Sequence, residues 1–342
     1  MAAKPIRRGE LGLIAHLRRQ PQRGFAQLTL GIGDDCAILK PPANSEIVVT
    51  TDFSLEGRHF LRHTHPARAV GHRCLARGLS DLAAMGARPL AAFLSLALPE
   101  ALAATRAGQR WVDEFLAGLL TLASQHGVPL AGGDTAGSPS NHVLADITLL
   151  GSTPTGRALR RSGACPNDVV YVTGALGGAA AELAQVLRRR RPAPLRDAER
   201  HPHLLPQARL AVGQALLRRG LATACIDLSD GLSTDLRHLC AESHVDAVLE
   251  AARLPQHPLL ARLPHKAAWP LLLHGGEDYE LLFTAPPTVR VPRRICGVAV
   301  TRIGHIVRRR RGQSEPQVLL QQADGSTAEL RAGGWQHLTT DH

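Results

Sequence analysis

Eight aspartates lie in short segments flanked by Gly, Ser or Thr, scattered from one end of the chain to the other: Asp34, Asp35, Asp52, Asp81, Asp134, Asp227, Asp230 and Asp278. Small flanking residues let the backbone turn tightly and approach a ligand, and neighbouring carboxylates repel one another unless divalent cations lie between them. Each segment alone is better explained as a loop or a helix N-cap, because aspartate favours both positions. The whole set predicts a fold that gathers these distant segments around magnesium and phosphate.

The length of the chain predicts two domains. Its 342 residues, 44% of them hydrophobic, can bury a sizeable core, but they exceed the ~250–300 residues at which single cores usually divide. Hydrophobic periodicity lapses near residues 152–164, so we place the domains at 1–152 and 153–342. No apolar run approaches the ~20 residues of a membrane span, and the first residues lack the apolar region of a secretory signal. We therefore expect a cytoplasmic protein without a membrane partner.

The net charge of +11 comes almost wholly from arginine, because the chain has only three lysines. None of them lies in a P-loop or in the strand context of a protein kinase, which excludes both of these nucleotide-binding solutions. Two arginine runs, 188–191 and 308–311, could bind polyanions. Aromatic residues make up 3% of the chain and none is interleaved with those runs. We therefore expect solvated arginines and no nucleic-acid partner.

The six cysteines are widely spaced and form no CxxC pair: Cys36, Cys74, Cys165, Cys225, Cys240 and Cys296. This spacing argues against a zinc ribbon and against a disulfide framework. We expect reduced thiols.

Strand and helix patterns alternate along the chain, which predicts an α/β fold. In the first half, a strand over 47–52 delivers Asp52 at its end, and a helix over 69–85 carries Asp81 where an N-cap role cannot explain it. A helical stretch over 101–126 then precedes a short strand that delivers Asp134. Another strand follows over 144–150.

The second half restarts with a strand over 169–173, followed by the glycine turn GALGG and a helix beginning near Ala179. This turn could hold a phosphate on helix N–H groups, and tight packing explains it equally well. Residues 188–205, including His201 and His203, look like a solvated connection. A helix follows IDLSDG directly and runs to about Ser243, with Ser229 or Asp230 able to cap it. Finally, GGEDYELLFT reads as a glycine turn that leads into a strand.

The ordered series GIGDDCAIL, TTDFSLEGRHF, LSDLAAMGA, GGDT, RSGACPND, IDLSDGL and GGEDYELLFT resembles the thiamine-monophosphate kinase family. That family belongs to a superfamily with aminoimidazole ribonucleotide synthetase, selenophosphate synthetase and the hydrogenase-maturation dehydratase. The resemblance spans the chain from about Gly9 to Trp335. LSDLAAMGA and IDLSDG recur across the superfamily, whereas GGEDYEL and the TTD to GRHF segment are more specific to the kinase branch.

The resemblance implies ATP-dependent phosphorylation of thiamine monophosphate to thiamine diphosphate, the last step of thiamine diphosphate biosynthesis. It implies a two-domain α/β fold of the α+β type, in which the N-terminal domain binds ATP and magnesium and forms a dimeric, barrel-like β interface. The C-terminal α/β domain completes the active site.

Carried over by position, the resemblance implies three sets of site residues. Several magnesium ions would be held by Asp35, Thr50, Thr51, Asp52, Asp81, Asp134, Asp227 and Asp230. ATP would be contacted by Gly133, Asp134, Arg161 and Ser229. The thiamine substrate would be faced by His59, Glu277 and Trp335.

The chemistry agrees with an aspartate-rich site that lacks a catalytic lysine or nucleophile. The acceptor is a phosphate monoester whose oxygen is already an anion, so the difficulty lies in bringing two polyanions together. Magnesium screens that repulsion and aligns the attacking oxygen for a direct in-line transfer.

The chain departs from the family pattern at three places. Gly78 stands where Asn is common, Ala136 and Gly137 stand where Thr and Arg are usual, and Phe53-Ser54 replaces a small and aliphatic pair. The role of the missing arginine would pass to Arg161, another arginine or a metal. Two alternatives stay open: a sister enzyme that uses ATP on another small substrate, and a non-catalytic protein that binds nucleotide or nucleic acid through its arginines.

Overall fold

The computed structural model describes residues 10–18, 25–192, 194–195, 201–310 and 312–335. The chain divides into two compact units. The first is built from the chain up to Leu79, Arg88–Thr155 and Val186–Asp197, and the second from Ser80–Ala87, Gly156–Gln185 and the chain from Ala198 onward. The expected boundary between residues 152 and 153 stays a prediction.

The first unit combines helices with a four-stranded sheet. Its helices are α1 (Glu10–Arg18), α2 (Ala67–Ala84), whose residues from Ser80 onward belong to the second unit, α3 (Glu100–Ala104) and α4 (Arg106–Gln125). Its strands are β1 (Leu28–Leu30), β2 (Ile38–Leu39), β3 (Ser45–Leu55), β4 (Arg88–Leu98), β5 (Leu130–Gly137) and β6 (Leu144–Pro154). The sheet has the order β3-β6-β4-β5, with β4 and β5 parallel and the other pairs antiparallel. Strands β1 and β2 form a separate antiparallel pair.

One face of this sheet is buried and the other is partly open. Along β6, Ala145, Ile147 and Leu149 are buried, whereas the residues that alternate with them are partly exposed. Helix α2 lies against the buried face, because a Cβ added to Gly78 would come within 2.6 Å of Leu149 Cδ1 and 3.5 Å of Thr50 Cγ2. Successive residues of a strand point to opposite faces, so neighbouring residues of β3 meet different environments.

The second unit is built around an eight-stranded sheet. Its strands are β7 (Val169–Thr173), β8 (Ala224–Asp227), β9 (Val245–Glu250), β10 (Leu281–Ala285), β11 (Arg294–Ile295), β12 (Val298–Arg308), β13 (Val318–Gln321) and β14 (Thr327–Glu329). The order is β14-β13-β9-β12-β7-β10-β8, with β11 paired to β12. Only β13 and β9 pair in parallel among these described strands.

Helices and two short 3₁₀ turns accompany this sheet: α5 (Gly178–Leu187), α6 (Leu210–Arg219), α7 (Leu232–Glu242), α8 (His265–His274), Ala251–Arg253 and Leu260–Arg262. The core joins strand residues such as Val172, Ile226 and Leu282 to helix residues such as Leu236 and Leu239. These side chains are almost fully buried, which is the main favourable contribution to folding.

The α/β fold is confirmed, and most predicted elements lie within two or three residues of the observed ones. The predicted stretch over 101–126 is two helices, α3 and α4, separated at Thr105, whose hydroxyl accepts the N–H of Gly108 and caps α4. Several observed elements were not predicted, among them strands β4, β9 and β12 and helices α6 and α8.

The expectation of a wholly solvated connection over 188–205 is wrong at its end. Arg188, Arg190 and Arg191 are exposed, as expected, and residues 193 and 196–200 lie outside the described part of the chain. His203, however, is 1% exposed and contacts acidic partners from other segments. Sequence reasoning looked for acids at helical spacing, whereas these acids come from α5 and from the GGEDYE segment.

The second arginine run also departs from expectation. Arg308 and Arg310 are exposed, and Arg311 lies outside the described residues. The side chain of Arg309 is 16% exposed, and its Nη2 donates to the carbonyls of Cys240 at 3.0 Å and Val245 at 3.3 Å. This arginine joins the end of α7 to the start of β9, so it is a structural residue and not a solvated one.

Candidate functional site

The segment after β8 carries the densest group of predicted site residues in the second unit. Asp227 ends β8, is 3% exposed, and accepts a 2.6 Å hydrogen bond from Ser80 Oγ. Ser80 precedes Asp81 near the end of α2, within the stretch that belongs to this unit. The residue that precedes Asp81 therefore contacts Asp227, although these two predicted metal ligands are far apart in sequence.

Asp230 lies in the turn between β8 and α7, and Asp235 holds that turn in place. One carboxylate oxygen of Asp235, Oδ2, accepts the N–H groups of Asp230 at 3.0 Å and Gly231 at 2.9 Å. Burial, together with the charges of Asp227 and Asp230, raises the pKa of Asp235 well above its usual value. Three carboxylates this close repel one another, so a divalent cation fits this donor set.

Asp235 was missed by sequence reasoning, although a signal was available. An acid in the first turn of a helix can reach back to the N–H groups that open the helix, and SDGLSTD has that layout. His238 follows three residues later on the same face of α7. Ligand atoms of Asp230, Asp235 and His238 all lie within 4.8 Å of one another, so this group of described residues has the spacing of a metal site.

Glu277 and Trp335 lie against the same turn. The N–H of Glu277 donates to the carbonyl of Ser229 at 2.8 Å, and the N–H of Trp335 donates to the carbonyl of Asp230 at 3.2 Å. The preceding Gly333 and Gly334 donate to side-chain oxygens of α7. Trp335 is 41% exposed, so its ring is not part of the core. The second unit thus brings Ser229, Asp230, Glu277 and Trp335 together.

Asp278, by contrast, is a structural residue. Its carboxylate accepts the N–H groups of Gly177 at 2.6 Å and Ala179 at 3.0 Å, at the start of α5. The glycine turn GALGG therefore binds a carboxylate of this chain at the position where a phosphate was considered. Burial raises the pKa of Asp278 to about 7, although these N–H groups lower it.

Glu280 completes the set of acids in GGEDYE and also has a structural role. It is 4% exposed and accepts both the Thr173 hydroxyl, at 2.6 Å, and the guanidinium of Arg209, at 2.5 and 2.7 Å. A buried carboxylate with a bidentate arginine is fully satisfied within the protein.

Arg161 is not brought next to Ser229 in this unit. Its carbonyl accepts the hydroxyl of Ser243 at 2.8 Å, directly after the C-terminal end of α7. Ser229 lies before the N-terminal end of the same helix, and a helix of 11 residues is about 16 Å long. The arginine side chain is exposed. Within this unit, Arg161 and Ser229 therefore lie toward opposite ends of α7.

In the first unit, the predicted ligands on β3 divide between the two faces of the sheet. Asp52 pairs with Ile147 and Thr50 with Leu149, which places both on the face that α2 covers. The guanidinium of Arg77, on α2, lies 3.3 Å from Asp52 Oδ1. The carboxylate of Asp52 therefore has a cationic partner from the same unit.

Thr51 and Asp134 lie on the open face. The Thr51 hydroxyl donates to Asp146 at 2.8 Å. Ser95 on β4 pairs with Asp146 on β6 and with Asp134 on β5. One row across the sheet therefore carries two carboxylates. Asp146 was not singled out by sequence reasoning, because LADITLL reads as an ordinary strand.

Gly133 precedes Asp134, and the backbone around it leaves no room for a side chain. Its φ is +145°, and an added Cβ would lie 1.9 Å from the carbonyl oxygen of Leu94. The close backbone approach of β4 and β5 therefore depends on glycine at this position.

Asp35 and His59 lie in loops of the first unit. Asp35 is exposed, and its N–H donates to the side chain of Asp34 at 3.0 Å. His59 Nδ1 accepts the N–H of Leu55 at 3.0 Å, so the neutral ring carries its proton on Nε2.

Comparison with known families matches both halves of the chain. Residues 33–153 match the AIR synthase related protein N-terminal domain, and residues 166–315 match the AIR synthase related protein C-terminal domain. The thiamine-monophosphate kinase of Escherichia coli K12 is 38% identical over 339 residues, which is 97% of this chain and 99% of that protein. This chain belongs to the thiamine-monophosphate kinase family.

Solved structures of the family share the fold. The thiamine-monophosphate kinase of Stenotrophomonas maltophilia K279a is 35% identical with a TM-score of 0.75, covering 92% of this chain and 96% of that one. A structure described as AaThiL complexed with AMPPCP and TMP is 29% identical with a TM-score of 0.71, covering 97% of both chains.

The family matches leave two of the predicted site residues outside their bounds. Arg161 lies between the two matched ranges, and Trp335 lies after the second. The departure from the family pattern at Gly78 has a local explanation, because any side chain there would displace Leu149, a fully buried residue.

Among the described residues, none of the helices combines the length and the hydropathy that a membrane span requires.

Proposed function

We propose that this chain transfers the terminal phosphoryl group of ATP to thiamine monophosphate and so forms thiamine diphosphate. One observation carries the proposal: a single turn of the second unit holds Asp230 and Ser229 beside Glu277 and Trp335, in a chain of this family. The turn therefore combines carboxylates suited to a metal with groups suited to a heterocyclic cation. A relative bound to AMPPCP and TMP supports the same pair of substrates.

The reaction needs alignment more than acid–base chemistry. The acceptor phosphate is already an anion, so no residue has to remove a proton from it. We assign Glu277, Trp335 and His59 to the thiamine substrate. Trp335 offers an exposed aromatic face, and Glu277 offers a carboxylate toward the positive thiazolium ring. Transfer is direct and in line, without a phosphoenzyme.

We assign the nucleotide to Gly133, Asp134, Arg161 and Ser229. Gly133 supports this role because it is exposed, and Asp134 is exposed beside it. Arg161 supports it through an exposed guanidinium, which can bind a phosphate in a bidentate manner.

Magnesium is part of the proposal. Burial, together with the charges of Asp227 and Asp230, raises the pKa of Asp235, and a hard divalent cation suits a group of carboxylate oxygens such as these. We assign the ions to Asp35, Thr50, Thr51, Asp52, Asp81, Asp134, Asp227 and Asp230, with Asp235 behind them. When bound, magnesium neutralises charge on the phosphates.

Incubation of the purified protein with ATP, Mg²⁺ and thiamine monophosphate tests the proposal. We expect thiamine diphosphate to form, and we expect free thiamine to be a poor acceptor because an alcohol requires a base. Activity that survives a metal chelator, or equal turnover of free thiamine, would contradict the proposal.

A homodimer and a cytoplasmic location complete the proposal. On the open face of β3, Ile47, Val49 and Phe53 are 42%, 64% and 61% exposed. Three large apolar side chains in one row of an edge strand, with Thr51 between Val49 and Phe53, favour association with a second copy. All six cysteines are free thiols, three of them exposed, which agrees with a reducing compartment.

A further inference from the structure

The segment His201-Pro202-His203 is held tightly in the second unit. Glu182, a buried residue of α5, accepts the N–H groups of His203 at 2.8 Å and Leu204 at 3.2 Å through Oε2. Its other oxygen lies 2.6 Å from Nδ1 of His201. One buried carboxylate thus fixes three groups of a short segment, which determines where the ring of His203 lies.

The ring of His203 lies against Glu277. Its Nδ1 is 3.1 Å from Glu277 Oε2, a hydrogen-bonding distance, and the imidazole is 1% exposed. A carboxylate only accepts hydrogen bonds, so Nδ1 carries the proton in this contact. The Glu277 side chain is 22% exposed, so it is supported from the protein side and remains accessible from the solvent side.

The backbone around Glu277 is held in an uncommon conformation. Glu277 and Tyr279 have φ values of +66° and +50°, in the left-handed region that non-glycine residues rarely adopt. Asp278 between them is anchored to the start of α5. Such strain persists only where the surroundings determine the conformation, and it is common at ligand-binding sites.

We propose that His203 is a positioning residue that orients the Glu277 carboxylate toward the thiamine end of the acceptor. The proposal rests on the function proposed above. Glu182 holds the segment, and His203 Nδ1–H holds one oxygen of Glu277, which fixes the orientation of the carboxylate that meets the substrate. His203 itself does not contact the substrate, because its ring is buried.

The atom that makes the contact defines the test. The side-chain amide nitrogen of Asn occupies the position of a histidine Nδ1, whereas that of Gln corresponds to Nε2. His203→Asn therefore keeps a donor to Glu277, and His203→Gln places its donor elsewhere. His201→Gln is the matched control, because His201 contacts Glu182 and shares the segment.

Steady-state kinetics on the full chain should separate these variants. We expect His203→Gln to raise KM for thiamine monophosphate about tenfold, with kcat and KM for ATP within about threefold of wild type. His203→Asn should stay within about threefold in all three parameters. His201→Gln should lower the melting temperature without a selective change in KM for the acceptor. In a Glu277→Gln background, His203→Gln should cause no further change.

Nitrogen-15 NMR of the wild-type protein tests the same contact without a variant. The His203 Nδ1 signal should be that of a protonated nitrogen, and it should shift when thiamine monophosphate is added but not when ATP alone is added.

If the wild-type enzyme is active, any of three results would overturn the inference. The first is an equal KM for thiamine monophosphate in His203→Asn and His203→Gln. The others are additive effects of His203→Gln and Glu277→Gln, or a His203 Nδ1 signal that does not change when thiamine monophosphate is added. A wild-type protein that does not phosphorylate thiamine monophosphate would instead overturn the proposed function, and this inference with it.

Discussion

Asp278 is a carboxyl group whose surroundings oppose its usual charge. Burial, with a smaller contribution from Glu280, raises its pKa to about 7, against N–H groups at the start of α5 that favour the ionised form. In the unfolded chain the pKa returns to its ordinary value near 3.8. The folded protein therefore holds a proton that the unfolded chain releases, and this contribution to stability is complete below about pH 4.

We expect the free energy of unfolding to fall as pH rises from about 4 to about 7, by at most about 1.4 kcal/mol per pH unit from this group. Asp278→Asn should flatten the dependence, because the amide does not titrate. Urea unfolding at a series of pH values measures it. Asp324→Asn is the control, because Asp324 is exposed and hydrogen bonds from Ser326 lower its pKa instead of raising it. This variant should therefore not flatten the fall in stability between about pH 4 and pH 7. Parallel curves for wild type and Asp278→Asn would show that another group is responsible.

Asp230 and Asp81 test the metal assignment at the level of single carboxylates. Changing either to Asn should reduce kcat/KM at least ~100-fold, about 2.7 kcal/mol of transition-state stabilisation. Asp324→Asn should leave the rate unchanged, because Asp324 lies in an exposed turn before β14. Circular dichroism checks that the variants fold. A folded Asp81→Asn enzyme of near wild-type rate would remove Asp81 from the metal site.

Single residues of the candidate site were predictable only where a local motif marks them. Asp230, Ser229 and Glu277 belong to such motifs, and the second unit does place them together. His203 and Asp235 were missed as partners of these residues. The contact of His203 with Glu277 joins segments with no sequence relation, so no spacing rule could reveal it.

The close pairing of strands β4 and β5 depends on Gly133. Gly133→Ala should reduce the free energy of unfolding by at least about 2 kcal/mol, because the Cβ meets the backbone of Leu94 and the φ of +145° is strained for alanine. Gly137→Ala in the same strand is the matched control, since an added Cβ there meets nothing within 4 Å. Denaturant unfolding compares the two. Equal stability of both variants would mean that β5 can shift without cost.

The end of β12 makes a second prediction at this scale. Arg309→Gln should cost about 1–3 kcal/mol, because it removes donors to the carbonyls of Cys240 and Val245 and the cation beside Asp246. Arg308→Gln and Arg310→Gln should stay within about 0.5 kcal/mol of wild type, because both side chains are exposed. Thermal unfolding measures all three. A neutral Arg309→Gln would restore the view of this run as a solvated surface.

Some elements were predicted with their exact bounds, among them the short buried strand β7, whereas the longer β4, β12 and α6 were missed. Strand β4 was missed because most of its residues, RPLAAFLSLAL, are buried. Apolar and polar residues therefore do not alternate along it as they do along a half-exposed strand. Apolar and polar residues alternate along β3, but the sequence does not say which of the two sets faces a helix. Here α2 covers Thr50 and Asp52, and the apolar row is left exposed.

For the whole molecule, that exposed row predicts the oligomeric state. Val49→Asp should convert a dimer to a monomer, because a charge in the middle of an apolar interface is costly to bury. Leu263→Asp is the control: it is an exposed apolar residue of the second unit, 38% accessible. Analytical ultracentrifugation reads the result. A wild-type monomer, or a Val49→Asp dimer, would contradict the proposed interface.

The amino-acid sequence by itself determined the α/β order of the elements, the turn chemistry of the aspartate segments and the membership of the family. These depend on local physics: periodicity, glycine flexibility and the preference of carboxylates for turns and cations. Only the tertiary structure decided which carboxylates face solvent, which cap a helix and which touch one another. Ser80 and Asp227 are 147 residues apart and share a hydrogen bond. Such contacts are set by packing and by the satisfaction of buried polar groups, which no local pattern encodes.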